Sequence, residues 1–144
     1  MALVSQLMVA MQEGGVPNAI AYCNEEALPI TARQSEKYGV KISRVAVRNR
    51  NEQNIANNEE QTLFTDWENA MNANEPLQPK LLKVDKKKVF YRPITMKPMC
   101  LSCHGEVGTQ ISSENYDVIK SFYPHDKAID FADGSLRGAW KVEF

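Results

Sequence analysis

Cys100-Leu101-Ser102-Cys103-His104 constrains this chain more than any other stretch. Two thiols separated by two residues, with a histidine directly after the second, form the attachment signature of a c-type haem. The thiols add across the two porphyrin vinyl groups, and the adjacent imidazole is held under the ring, where it can ligate iron from the proximal side. Covalent attachment also means that the fold need not retain the cofactor by packing alone. A structural zinc site needs four protein ligands, and no second closely spaced Cys/His pair exists. A thioredoxin-like redox pair would open a helix after a strand and has no need of the histidine.

With 144 residues the chain reads as one domain, 1–144, long enough to bury roughly 70% of its unfolded surface. Formal net charge is −1, with 24% charged residues, so no electrostatic case exists for nucleic acid or an anionic membrane as partner. Lys86-Lys87-Lys88 reads as a solvated hairpin tip. No apolar run approaches the roughly 20 residues that span a bilayer. Met1-Ala2-Leu3-Val4-Ser5 lacks a basic leader, and Glu13-Gly14-Gly15 stands where a small-residue cleavage site would be. Because bacteria attach such haems outside the cytoplasm, the expectation is a periplasmic protein whose targeting segment has been removed.

Along the chain, Leu3, Leu7, Met8 and Met11 at helical spacing predict a helix over 2–13 that Gly14-Gly15 ends. Pro17 and Asn18 open a second helix carrying Val16, Ala19, Ile20, Cys23 and Ala27, which Pro29 kinks or restarts and Gly39 stops. Residues 40–47 read as a strand, 49–58 as an asparagine-rich loop, and 58–73 as a helix with Leu63, Phe64, Trp67 and Met71 on one face. Residues 81–84 and 89–94 form a hairpin, 113–122 a short helix, and 137–144 a terminal strand. The order predicts an α+β fold whose antiparallel sheet is covered by helices on one face.

Cys23 has two readings. Free cysteine is among the most buried residue types, and beside Ala19, Ile20 and Ala27 it fits a core helix face. Alternatively it is the distal iron ligand: Ala19 and Ala27, one turn either side, would let a flat porphyrin edge approach. Met96, Met99 and His125 compete for that role. Met99 directly precedes Cys100 and has little reach, Met96 suits core packing, and His125 sits in a polar turn. Arg44, Arg48 and Arg92 are candidates to pair with haem propionates, since a guanidinium fork matches a carboxylate bidentately, or else are exposed strand arginines.

Several separated blocks together resemble a known family. They are Met11–Gly15, Ala19–Ala27, Arg44–Asn51 with its Arg48-Asn49 pair, Arg92-Pro93-Ile94, Cys100–Gly105, Tyr123–Ala128 and Leu136–Ala139. The set is similar to a bacterial and cyanobacterial family of domains of unknown function that bind a single c-type haem on a PAS-like fold. The likeness spans nearly the whole chain. It implies one covalently attached haem c with His104 proximal and Cys23 distal. The family often has prolines after the Arg-Asn pair, where this chain has Arg50 and, further on, Ile55-Ala56.

His/thiolate ligation would fill both axial positions, leaving none for substrate, and no paired carboxylates or nucleophile–base set offers another catalytic reading. The expectation is therefore not an enzyme. A redox or gas sensor, whose partner is a small gaseous ligand, is favoured by the PAS-like likeness. The alternative is an extracytoplasmic electron-transfer cytochrome serving a redox partner protein.

Overall fold

A computed structural model of the chain describes residues 2–84 and 86–144. Helix α1 (Ala2–Tyr38) is broken at Gly14 (φ −144°, ψ 18°) and Gly15 (φ 70°, ψ −163°), giving two arms where two helices were expected. Gly15 adopts a backbone conformation that an L side chain resists, so the break is written into the sequence. Asn18 reaches back across it, its Nδ2 donating to Ala10 O at 2.8 Å. Pro17 falls in the first turn of the second arm, where its missing N–H is no loss. Pro29 lies mid-arm without departing from helical φ/ψ, so the expected kink or restart there does not occur. Gly39 follows the helix end.

Four strands make one antiparallel sheet in the order β1-β4-β3-β2: β1 (Lys41–Val45), β2 (Lys80–Val84), β3 (Lys87–Thr95) and β4 (Leu136–Glu143). The chain thus has the expected mixed α+β architecture. Lys87 and Lys88 belong to β3, where Lys88 exchanges backbone bonds with Phe144, so only Lys86 of the lysine run lies beyond the strands. That corrects the hairpin-tip reading; Asp85 lies outside the described residues. The expected strand over 40–47 ends at Val45, after which Ala46 pairs in parallel with Ile55.

Helix α2 (Asn58–Asn72) starts from a capping box in which Asn57 and Glu60 satisfy each other's backbone N–H. Its Leu63, Phe64 and Trp67 pack on Val45, Val89, Tyr91 and Ala139, which covers one sheet face. Trp67 is fully buried, with Nε1 donating to Gln78 O at 2.9 Å, so its polar atom does not offset a burial worth about 2–3 kcal/mol. Glu60 is buried beneath the same face, accepting from Tyr91 Oη at 3.0 Å and pairing with Lys141 Nζ at 2.9 Å. The asparagine-rich loop contains one 3-10 turn (Glu52–Asn54), capped by Asn51.

On the other sheet face, Arg44, Trp140 and Arg92 form one cross-strand row. The short helix α3 (Leu101–His104) follows a 3-10 turn (Pro98–Cys100) directly after β3, and α4 (Ser113–Phe122) follows it. Ile20 of α1 joins Ile111 and Ile119 in a second core, which Val16, Cys103, Tyr116 and Tyr123 flank. This core holds the second arm of α1 beside the segment that carries the cysteines. No helix among the described residues is long and apolar enough to cross a membrane.

Candidate functional site

Cys100 and Cys103 stand three residues apart on the turn from Pro98 to His104, Cys100 against Met96, Ala128 and Phe131 and Cys103 against Ile20, Ile111 and Ile119. All three cysteines are free thiols and half-buried. Gly105 closes α3: a Cβ there would meet the Gln110 side chain and come within 2.7 Å of Leu101 O. Residues 128–131 fold back over the helix end. Asp130 N donates to Gly105 O at 2.9 Å and Phe131 N to His104 O at 3.0 Å.

His104 Nδ1 bonds Ala128 O at 2.8 Å. A carbonyl accepts only, so Nδ1 carries the proton and Nε2 keeps its lone pair, the tautomer a metal-ligating histidine needs. Burial lowers the imidazole's proton affinity well below the ordinary value. The nearby Arg137, Arg50 and Arg44 lower it further, and the bond to Ala128 opposes them only in part. The ring is therefore held neutral. Phe131 lies edge-on to it, with centroids 6.3 Å apart.

Cys23 lies on the second arm of α1, with Ala19 and Ala27 buried one turn to either side. Burial raises its thiol pKa, while the fields of Arg44 and Arg50 pull it down. Burial likewise pushes Cys103 up to about 11, with Arg50 opposing and Cys23 and Cys100 adding to the rise. The thiols of α1 and α3 thus sense each other and the same guanidinium. Of the competing candidates, Met96 is packed in a third core with Ala128 and Phe131. Met99 is 39% exposed, and His125 is exposed in its turn, 4.0 Å from Glu52.

Arg44 is half-buried, its guanidinium 5.8 Å from the Trp140 ring. Burial lowers its pKa, and Cys23 and Tyr123 oppose that shift. Arg48 is exposed, lies 4.1 Å over the Phe131 ring and donates to Ile129 O. Arg92 is exposed at the other end of the Trp140 row. The fold therefore gathers Arg44 and Arg48 toward His104 and leaves Arg92 on the rim.

Sequence reasoning assigned no site role to Arg50, Asp126, Arg137 or Phe131. Arg50 forms a fork with Asp126, Nε to Oδ1 at 3.0 Å and Nη2 to Oδ2 at 3.1 Å. Its Nη2 also donates to Cys103 O at 2.6 Å and Ala128 O at 3.0 Å. Arg137 sits 5.3 Å from the Phe131 ring and donates to Arg48 O at 3.0 Å. Burial lowers Arg137 to about 10, Arg50, Arg44 and Arg48 push the same way, and Asp126 opposes. The signal available beforehand was a lone arginine in an otherwise amide-rich loop, and an aspartate in the Tyr123–Ala128 block.

The donor set is thus a neutral imidazole whose Nε2 keeps its lone pair, two thiols on one turn, a third, half-buried thiol, and an excess of guanidinium over carboxylate. Such a set could hold a porphyrin with acidic side chains. Among the described residues no group of three or more His, Cys, Asp or Glu side chains is placed to hold a bare metal ion.

The family model Tll0287-like (Tll0287) matches residues 2–144. The chain belongs to the Tll0287-like family. Among solved structures it is similar to one titled the cyanobacterial heme-protein Tll0287, at 22% identity and a TM-score of 0.66. That match covers 81% of this chain and 67% of the other. At such identity the likeness shows the shared fold. No curated protein matches.

Proposed function

We propose that this Tll0287-like chain binds one c-type haem, attached through Cys100 and Cys103 and ligated by His104 and Cys23, and that it works as a redox or gas sensor. The observation that carries the reading is the His104 Nδ1–Ala128 bond, which presents a neutral imidazole directly after the two thiols. The fold neighbour's description as a heme-protein supports the same cofactor. A haem bound here would supply a one-electron iron couple.

The chain's own residues do the rest. Cys100 and Cys103 fix position, and Ala128 fixes the imidazole. Arg44 and Arg48, joined by Arg137 and on the rim by Arg92, offer guanidiniums to two carboxylates. Cys23 can hold or release a proton at Sγ, and it lies on a separate arm of α1. That gives a two-state element of the kind a sensor needs. With both axial positions held by side chains, the reading is non-enzymatic. The chemistry of covalent haem attachment supports a location outside the cytoplasm.

The test is the optical spectrum of haem-loaded protein, ferric and then dithionite-reduced, with pyridine haemochrome analysis and a Cys23→Ala variant beside it. A c-type haemochrome and a thiolate-type ferric spectrum that the variant loses are expected. Loss of the thiolate signature on reduction, followed by carbon monoxide binding, supports the sensor. Retention of both ligands through reduction selects an electron carrier. Absence of a haemochrome from protein made with attachment machinery would refute haem binding.

A further inference from the structure

Ala128 O accepts two hydrogen bonds, from His104 Nδ1 at 2.8 Å and from Arg50 Nη2 at 3.0 Å. The same Arg50 nitrogen donates to Cys103 O at 2.6 Å, so one guanidinium joins the attachment turn to the carbonyl that orients the histidine beside it. Asp126 completes a closed circuit. Its carboxylate takes both Arg50 donors, and its Oδ1 accepts from Ala128 N at 2.9 Å. The side chains of Arg50 and Asp126 are 12% and 0% exposed, so solvent does not compete for these bonds. Ala128 itself is fully buried.

We propose that Arg50 and Asp126 are positioning residues for His104: the fork holds the Ala128 carbonyl in line with Nδ1–H and thereby sets how strongly the imidazole donates to iron. The inference rests on the haem-binding reading above and deepens it. Outer-shell partners of this kind set the tautomer, orientation and basicity of a ligating histidine. Asn49 O, which accepts from Lys127 N at 3.0 Å, helps seat the same loop, but it touches neither Ala128 O nor the attachment turn. Among the described residues, Arg50 reaches both.

The decisive variant is the double exchange Arg50→Gln/Asp126→Asn. It removes one positive and one negative charge together, so net charge is unchanged and a simple field effect on the iron is largely cancelled. The asparagine oxygen can still accept from Ala128 N. The readout is the iron–histidine stretching frequency by resonance Raman, recorded on ferrous haem-loaded protein in a Cys23→Ala background that leaves His104 as sole axial side chain. We expect the frequency to fall against the Cys23→Ala parent. In the Cys23-containing protein the midpoint potential should rise by about 59 mV. That is a tenfold change in the one-electron equilibrium, the lower end of what losing such a partner costs. An unchanged or raised frequency overturns the proposal. If the double variant does not fold, Arg50→Lys replaces it; it keeps the charge but loses the fork, and a smaller fall is expected, with no fall overturning the proposal. A parent that yields no haemochrome refutes haem binding itself and takes this inference with it. A loaded parent with unmoved variants refutes the positioning role alone.

Discussion

Replacing Asp126 by alanine should be among the costliest single changes to this fold, and its size follows from what the carboxylate touches. The side chain is fully buried and takes two guanidinium donors and the Ala128 amide. Breaking a buried, hydrogen-bonded ion pair from one side costs about 3–5 kcal/mol, because the remaining charge stays buried. The orphaned amide alone would cost about 1–3 kcal/mol, but part of that lies within the first figure. Arg50 keeps two carbonyl acceptors, which softens the loss, while Arg137 and Arg44 nearby sharpen it. Together these give about 4 kcal/mol. In urea unfolding of the haem-free protein at pH 7, with a slope of about 2 kcal/mol/M, the midpoint should drop by about 2 M. The thermal midpoint should fall by about 8–16 °C. Asp126→Asn, which keeps an acceptor for the amide, should lose about half as much. Arg50→Met/Asp126→Leu should be far milder than Asp126→Ala alone, because no charge is left stranded. An Asp126→Ala protein within about 1 kcal/mol of the parent would refute the claim that this pair is a buried, structurally coupled unit.

Three further outcomes follow from named contacts. With Cys103 pushed up from its ordinary value of 9.0 to about 11, its thiolate share at neutral pH falls roughly 100-fold. Haem-free Cys23→Ala/Cys100→Ala protein should therefore react with Ellman's reagent far more slowly folded than in urea, and equal rates would contradict the burial. Gly105→Ala would put a methyl within 2.7 Å of Leu101 O and against Gln110, and should cost about 1–3 kcal/mol in urea titration. Burial alone would raise Glu143, but Lys41 at 3.3 Å and Lys141 at 3.7 Å outweigh it and hold the carboxyl below its usual value. The stability this contributes is present above the unfolded value of about 4.3 and is lost as pH falls through the lower folded value. The gap in urea midpoint between the parent and Glu143→Gln should thus close on acidification from about pH 5, and a pH-independent gap would argue against the pairing.

What the sequence made legible was local. The helix break at Gly14-Gly15, the α2 face of Leu63, Phe64 and Trp67, the 113–122 helix and the terminal strand all announce themselves within a few residues, by periodicity or by a backbone only glycine accepts. Pro29 was over-read because proline's penalty is a propensity, which the packing of the second arm against β1 and α4 overrides. The lysine run was over-read because charge suggested a tip where strand pairing continues to Lys87. In the site, the pentapeptide was legible because its chemistry lies in its spacing. The Arg50–Asp126 fork was not, since its partners are 76 residues apart and no local pattern joins them.

The charge balance around His104 connects these pieces. Arg44, Arg48, Arg50 and Arg137 are close enough to act on one another or on the imidazole, and Asp126 is the carboxylate set among them. Arg50 takes both oxygens of Asp126 in a bidentate fork, and among the described residues no carboxylate forms an ion pair with Arg44, Arg48 or Arg137, although Asp126 still acts on Arg137 at longer range. For the half-buried Arg44 and Arg137 such burial is costly, and it weakens Arg137's hold on its proton. Phe131, between Arg48 and Arg137, relieves part of the cost through its ring face, at 4.1 and 5.3 Å. A ring face is no substitute for a carboxylate. The arginine cluster beside His104 is thus one half of an electrostatic pair. A group that pairs with it should carry acidic side arms for the guanidiniums and a centre that accepts the Nε2 lone pair of His104. The proposed haem would carry both, so on that proposal the arginines and the imidazole act as parts of one site.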